Sequence, residues 1–416
     1  MQEIPLSRPD ITERERRLVE MVLRSGRLAL GPMAERFEEL VARRTGRRRA
    51  VACSSGTAGL HMTLVAMGVG PGDEVIVPSF CFVAPANAVL YVGATPIFVD
   101  SCPKSLNMDP VRVEAAVTDR TKAIVAVENF GNPQHMDVYR RIADKYEIKL
   151  IEDACEGLGA TYKGRAVGSF GHAAVFGFYP NKQITTGEGG MVVTDDDSLA
   201  DLLQSLRNQG RPAGSMRKPS GAPRSPAEPL PGAMGGKSTM TEAESPSLLA
   251  NTGSWMEFAR LGYNYRLSEI NAALGVAQME RLDEILQRRQ EVAEWYIQRF
   301  LDHSELVLPS YDDDTAMSWF VFVVRLSDRY AGDERDRIIA GMHRHDVGAA
   351  AYFPCVHLQP QFRALGYEEG RFPITERVSQ RTIALPFYTK LEREDAEFAA
   401  RTLELMIERE NLKKRA

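Results

Sequence analysis

Apolar residues along this chain recur with two different periods. Near the start, Ile11-Thr-Glu-Arg-Glu opens one amphipathic segment and Met33 to Arg44 forms another, so residues 10–45 read as helical. Between them, Gly26-Arg-Leu-Ala-Leu-Gly31-Pro32 is punctuated by glycine and proline and reads as a loop. Farther on, the helical spacing gives way to short unbroken apolar runs. Glu74-Val-Ile-Val-Pro, Thr95-Pro-Ile-Phe-Val-Asp100, Ala123-Ile-Val-Ala-Val127 and Lys149-Leu-Ile-Glu-Asp153 each read as a short buried strand, and Met191 to Thr194 is strand-like too. Helical patterns such as Met136 to Tyr146 lie between some of them. Near-continuous apolar strands alternating with helices predict an α/β fold with a mostly parallel sheet covered on both faces.

The pattern breaks over residues 212–250, where Pro219, Gly221, Pro223, Pro226, Pro229 and Gly232 crowd a stretch poor in large apolar residues. Too little apolar surface is available there to offset the entropy of ordering, so a mobile surface insertion is expected. A long helical pattern runs from Ser268 to about Phe300, with Leu274, Ala277, Met279, Leu282 and Ile285 at apolar positions. Ser318 to Leu326 reads as a strand, Arg335 to His345 as a helix, and Glu392 to Glu410 as a terminal helix. The expected organisation is a large domain over residues 1–285 and a smaller α+β domain over 286–416, in line with a length of 416 residues.

Composition narrows the class. Hydrophobic residues make up 44% and charged residues 26%, and the formal charge is −5. These values suit a globular enzyme and argue against a general nucleic-acid binder. Arg43, Arg44, Arg47, Arg48 and Arg49 straddle the end of a helical segment, where cations complement the dipole, and read as a solvated face. Five cysteines (Cys53, Cys81, Cys102, Cys155, Cys355) are widely spread, with no CxxC pair or Cys/His cluster. They suggest small buried hydrophobes, without a metal site or a disulfide framework. No apolar run reaches the roughly 20 residues that span a bilayer, and no apolar signal core is seen. A cytoplasmic location is expected.

The chemistry centres on Phe176-Gly-Phe-Tyr-Pro-Asn-Lys182-Gln-Ile-Thr-Thr-Gly-Glu-Gly-Gly190. Phe176, Phe178, Tyr179 and Ile184 flank Lys182 with apolar surface, and desolvation favours the neutral amine that forms a Schiff base with an aldehyde. Ser54-Ser55-Gly56-Thr57-Ala58 precedes a helical run from Gly59 to Met67, and reads either as a phosphate-binding turn or as an ordinary N-cap. Asp153 ends an apolar strand, where ligands bind in open α/β sheets, or else caps a following helix. Phe82 follows another strand and reads as a stacking platform for a flat ring or as core.

A phosphate cup, a stacking ring, a strand-end aspartate and a lysine are the parts of a pyridoxal phosphate (PLP) site. The chain resembles the DegT/DnrJ/EryC1/StrS family of PLP-dependent sugar aminotransferases, a branch of fold-type I. Ile4-Pro-Leu-Ser-Arg-Pro9, Gly72-Asp-Glu-Val-Ile-Val-Pro-Ser79, Glu152-Asp153-Ala154, Thr185-Thr-Gly-Glu-Gly-Gly190, Gly262-Tyr-Asn-Tyr-Arg-Leu-Ser-Glu-Ile270 and Leu385-Pro386 carry the likeness. It implies Lys182 as the Schiff-base lysine, Asp153 as the pyridinium partner, Gly56 and Thr57 at the phosphate, and Phe82 over the ring. Glu156 falls where the family often has Gln or His near the ring hydroxyl. Asn264 and Arg266 fall in a segment lent to the neighbouring subunit's cofactor, which implies a homodimer with shared active sites; which of the two reaches the phosphate stays open. Gly177 departs from a serine common in the family.

The implied reaction is transamination from an amino acid, usually glutamate, to a nucleotide-linked keto-sugar, with Lys182 as general base and acid. His357 is a candidate substrate-side group, and also a candidate structural one. The alternatives are a sugar dehydratase of the same family, in which histidine replaces the lysine, a fold-type I lyase or desulfurase acting on amino acids, and a non-catalytic regulatory descendant. Retention of Lys182, Asp153 and Gly56-Thr57 favours the aminotransferase.

Overall fold

A computed structural model describes residues 3–212 and 258–415. Of the expected insertion, residues 213–250 lie outside the described residues. Helix α1 (Glu13–Ser25) starts on a Thr12–Glu15 capping box and stops at Gly26, whose φ of 68° is readily adopted by glycine. Helix α2 (Pro32–Thr45) follows the expected loop. Then strands and helices alternate: β1 (Arg49–Cys53), α3 (Gly56–Ala66), β2 (Glu74–Pro78), α4 (Ala84–Tyr91), β3 (Thr95–Val99), α5 (Pro110–Ala115), β4 (Thr121–Val127), α6 (Met136–Lys145) and β5 (Lys149–Asp153). Two short strands, β6 (Thr161–Tyr162) and β7 (Arg165–Ala166), precede β8 (Ala173–Gly177), β9 (Gly190–Thr194) and α7 (Asp197–Arg207).

Seven of these strands form one sheet in the order β1-β9-β8-β5-β4-β2-β3. Pairing is parallel from β8 to β3, and β9 alone runs against both its neighbours. Strand alternation sends side chains to opposite faces. Val175 and Val192 face the layer that holds α3 and α7, whereas Phe176, Met191 and Val193 face α1, α2 and the later helix α8 (Glu269–Met279). Both faces are therefore dry, as the continuous apolar strands foretold.

The helical pattern from Ser268 to Phe300 is two helices, α8 and α9 (Leu282–Phe300). The break falls where the largely buried Arg281 turns its guanidinium to Asp10 at 2.6 Å and Glu15 at 3.0 Å. Position 285 lies inside α9. The remaining elements are β10 (Leu306–Val307), β11 (Thr315–Ala316), β12 (Phe322–Leu326), α10 (Gly332–His343), α11 (Pro360–Arg363), α12 (Pro373–Ser379), β13 (Thr382–Leu385) and α13 (Arg393–Arg415). A small antiparallel sheet, β10-β12-β13, packs its apolar face against α9, α10 and α13. Strand β11 reaches back and pairs with β6.

The arginine cluster needs one correction. Arg43 and Arg48 are exposed, but the Arg47 side chain is only 8% exposed. Its guanidinium donates to the carbonyls of Gly168 and Gly171, both at 2.6 Å, and to Asp195 at 2.7 Å. It is a buried fork that ties the loop before β8 to the end of β9, because three acceptors converge where a planar donor fits them.

Candidate active site

A cleft of about 760 Å³ opens at the carboxyl ends of the central strands, between the large sheet and the chain around Phe320 and Tyr352. Ser55, Gly56, Thr57, Phe82, Asp153, Glu156 and Lys182 all line it. Residues nearly 130 positions apart in sequence thus meet because β1, β2, β5 and β8 end at the same edge of the sheet.

Helix α3 starts at Gly56, three residues earlier than its apolar spacing suggested. Ser55 caps it, accepting from the Ala58 N–H at 3.1 Å, and the Ser55 carbonyl accepts from the Gly59 N–H at 3.0 Å. The N–H groups of Gly56 and Thr57 belong to the first helical turn, which has no intrahelical acceptors to offer, and they lie at the cleft wall. Capping and phosphate binding are therefore compatible at this turn. A Cβ on Gly56 would stand 2.7 Å from Cys155 Sγ, so only glycine leaves this cradle open.

Asp153 is the last residue of β5 and is 5% exposed. Turns follow it, so the helix-cap reading falls away. Its Oδ1 accepts from the Cys155 N–H at 3.2 Å. Burial raises its carboxyl above the ordinary value, and the bonds from Cys155 and the nearby Lys182 charge oppose that rise. A cationic ring nitrogen is the kind of partner that keeps such an acid ionised.

Lys182 sits in the β8–β9 connection, its N–H bonded to the Tyr179 carbonyl at 2.9 Å. Its side chain is 14% exposed, with Nζ 3.3 Å from Glu156 Oε1 and 3.9 Å from the centre of the Phe320 ring. The connection is pinned at Phe178, which bonds Gly189 and Thr186, and by Asn271 of α8 through the Glu188 carbonyl. Glu156 is buried, and its Oε2 accepts from the Phe130 N–H at 2.8 Å. Burial pushes the Glu156 carboxyl up, and Lys182 pulls it back.

Phe82 is 59% exposed on the cleft wall, and the neighbouring Phe80 is the one that enters the core. The core reading of Phe82 is thereby excluded. Asn264 pairs with Asn208 across an isolated bridge, and Arg266 donates to Asn208 Oδ1 at 3.0 Å. Neither lines the cleft of its own chain, although the Tyr265 carbonyl accepts from the Ser54 N–H beside the α3 turn.

His357 is corrected as a substrate-side group. It is fully buried, faces the rings of Phe98 and Phe372, and approaches Glu376 at 3.2 Å. The chain presents its neighbours Val356 and Gln359 to the cleft instead. The uniform treatment of the cysteines also changes: Cys53, Cys81 and Cys355 are buried, while Cys102 and Cys155 are partly exposed. A hydrogen bond from His135 draws the Cys102 thiol down to about 6. Sequence reasoning missed Phe320, Tyr352 and Gln361 on the cleft wall, because no local motif marks residues that arrive from the far side of the chain. Among the described residues no group of three or more His, Cys, Asp or Glu is placed to hold a metal ion, and no helix is long and apolar enough to cross a membrane.

The donor set fits PLP: an amine in an apolar cleft, a buried acid at a strand end, a glycine cradle beside free N–H groups, and an open aromatic face. Comparison with known proteins agrees. The family model for the DegT/DnrJ/EryC1/StrS aminotransferases matches residues 9–404. The spore coat polysaccharide biosynthesis protein SpsC of Bacillus subtilis (strain 168) is 35% identical over 95% of this chain and 94% of its own. Among solved structures, S. venezuelae DesV in complex with a ketimine intermediate is 30% identical, with a TM-score of 0.81 over 98% of this chain and 99% of that one. The PLP form of Spr1654 from Streptococcus pneumoniae is 26% identical, with a TM-score of 0.85 over 98% and 99%. The chain belongs to the DegT/DnrJ/EryC1/StrS aminotransferase family and is a PLP-dependent aminotransferase of fold-type I.

Proposed function

We propose that this enzyme moves an amino group from an amino acid, glutamate foremost, to a keto-sugar carried on a nucleotide, in a pathway that builds a polysaccharide. The observation that carries the reading is the convergence of Lys182, Asp153 and the Gly56-Thr57 turn in one cleft. The bound cofactor supplies the electron sink, and this chain's residues supply the rest. Lys182 Nζ would hold the cofactor through its aldehyde, and the same amine, when free, would serve as the base and acid that moves a proton. Asp153 holds the ring nitrogen's proton. Phe82 covers a ring face, and Gly56 and Thr57 take the phosphate.

The sugar reading draws support from neutral polar groups along the cleft wall. Asn181, Tyr352, Gln359 and Gln361 offer neutral hydrogen-bonding groups suited to hydroxyls, and the volume lies in the upper range for small-molecule sites. The relative SpsC, by its name, serves polysaccharide biosynthesis. The exposed Asn264 and the neighbouring Arg266 suit a homodimer in which each chain completes the other's site. Retention of Lys182 leaves the dehydratase reading without support.

Purified protein should carry a visible absorbance that borohydride abolishes, with the cofactor fixed to the peptide bearing Lys182. A panel of nucleotide-linked keto-sugars with glutamate tests the substrate. Turnover of free amino acids and keto acids alone, with no keto-sugar accepted, would overturn it.

A further inference from the structure

His61 stands on α3, about one and a half turns after Gly56, and is 8% exposed without lining the cleft. Its ring lies in a box of tyrosines. The ring centres of Tyr263, Tyr91 and Tyr265 are 4.8 Å, 5.7 Å and 5.9 Å from its own. Its Nδ1 is 3.0 Å from the Tyr265 hydroxyl. Burial lowers the His61 imidazole and raises the Tyr265 phenol, so the ring is neutral and the phenol keeps its proton. Such a pair bonds in either tautomer of the histidine.

Two of these tyrosines flank Asn264. The segment they share runs along the end of α7, where the Tyr263 N–H donates to the Leu206 carbonyl at 2.6 Å and the Tyr265 N–H to the Arg207 carbonyl at 3.0 Å. A Cβ on Gly262 would stand 2.0 Å from the Gly210 nitrogen, so the two backbones touch. The pairing is one isolated bridge, Asn208 to Asn264, and no ladder. Side chains must therefore help to fix which face of the segment turns outward. Extended chain sends alternate residues to opposite sides. Tyr263 and Tyr265, stacked with centres 5.0 Å apart, face His61, while Asn264 between them is exposed. Arg266 falls on the Asn264 side, where it donates to Asn208 Oδ1.

We propose that His61 is a positioning residue for the neighbouring subunit's site: by holding Tyr265 and Tyr263 it turns Asn264 and Arg266 outward, where they serve the cofactor phosphate across the dimer. This inference rests on the reading that each chain completes the other's site. The same clamp touches its own site as well, since the Tyr265 carbonyl accepts from the Ser54 N–H at 2.9 Å. Action on the neighbour and action at home therefore have to be told apart.

Mixed dimers of the full chain, bearing two different tags, make that separation. One subunit carries Lys182→Ala, so that PLP titrated into the dimer and read by its visible absorbance reports the intact subunit alone. Tyr265→Phe keeps the stacked ring and removes only the hydroxyl. Placed on the Lys182→Ala subunit, it raises the Kd for PLP at the intact site about three- to tenfold. Placed on the intact subunit, it leaves that Kd within about twofold. His61→Phe on the Lys182→Ala subunit reproduces the loss, and His61→Asn, which keeps a hydrogen-bonding group, restores the Kd to within about threefold of the parent. A defect that follows the intact subunit's own Tyr265, or no defect in either arrangement, overturns the proposal. Asn264→Ala with Arg266→Ala on the Lys182→Ala subunit separates the clamp from the reading beneath it. If that pair weakens PLP and Tyr265→Phe does not, the shared site stands and the clamp falls. If the pair has no effect, or the protein forms no dimer, the shared-site reading falls and the clamp with it.

Discussion

Glu156 holds Lys182 with one oxygen and the backbone of Phe130 with the other, at 3.3 Å and 2.8 Å. Phe130 in turn stacks on Phe353 of the cleft wall, with ring centres 5.3 Å apart. One buried carboxylate therefore links the Lys182 amine to the Phe353 wall of the cleft.

Replacing it separates charge from shape. Glu156→Gln keeps an acceptor for the Phe130 N–H, so its melting temperature stays within about 1 °C of the parent, while kcat falls by about tenfold for the lost charged bond. Glu156→Ala leaves that buried N–H bare and loses a further 1–3 kcal/mol of stability, roughly, in urea unfolding. Equal stability of the two variants would show that the Phe130 bond contributes nothing.

Arg47 offers a test of architecture without chemistry. Arg47→Ala removes the donor shared by two carbonyls and the half-exposed Asp195, and is expected to cost about 1–3 kcal/mol by urea unfolding. Arg47→Lys recovers only part of this, because an ammonium cannot reproduce the fork. The kcat of both, measured well below their melting temperatures, matches the parent.

Glu128 gives a pH signature. It is fully buried, and burial, then the neighbouring Glu152, raise its carboxyl well above the ordinary 4.5. The folded chain thus keeps a proton that the unfolded chain releases. The stability this group contributes is complete below the unfolded value and is lost as pH rises toward the folded one. Glu128→Gln imitates the protonated acid. It should melt with the parent near pH 4 and above it at pH 8, on the order of 1–3 °C, in scanning calorimetry. A gain that is the same at both pH values would contradict a protonated Glu128.

The buried setting of His357 predicts a structural phenotype. His357→Ala removes the ring between Phe98 and Phe372 and costs about 2–4 kcal/mol. The KM for both substrates stays within about twofold of the parent. A large KM change with intact stability would return the histidine to the substrate side.

How much the sequence disclosed depended on how local each signal was. Asp153 stands out because it ends an apolar run that reads as a strand on its own terms, and Lys182 because aromatic residues and a glycine-rich turn flank it. Strands β1 and β8 escaped notice, since Arg-Ala-Val-Ala-Cys and Ala-Ala-Val-Phe-Gly are short and rich in alanine, a weak strand former. The cleft's far wall was also invisible: Phe320 and Tyr352 meet Lys182 only through the packing of the second sheet and its loops. His357 misled because its side-chain chemistry suggested a function that its burial denies.

Strand β9, the one reversed member of the large sheet, sets a dimension of the cleft. Its first residue, Gly190, pairs with Cys53 of β1 on one side and with Gly177 of β8 on the other. The connection bearing Lys182 hangs from that same residue, and the Gly56-Thr57 turn leaves the end of β1 directly beside it. The span from the Lys182 amine to the Gly56-Thr57 turn is accordingly metered by backbone pairing, like marks on a ruler. Point substitutions on either loop can retune the chemistry, whereas adding or removing a single residue between Gly177 and Gly190 would shift one end of the gauge against the other.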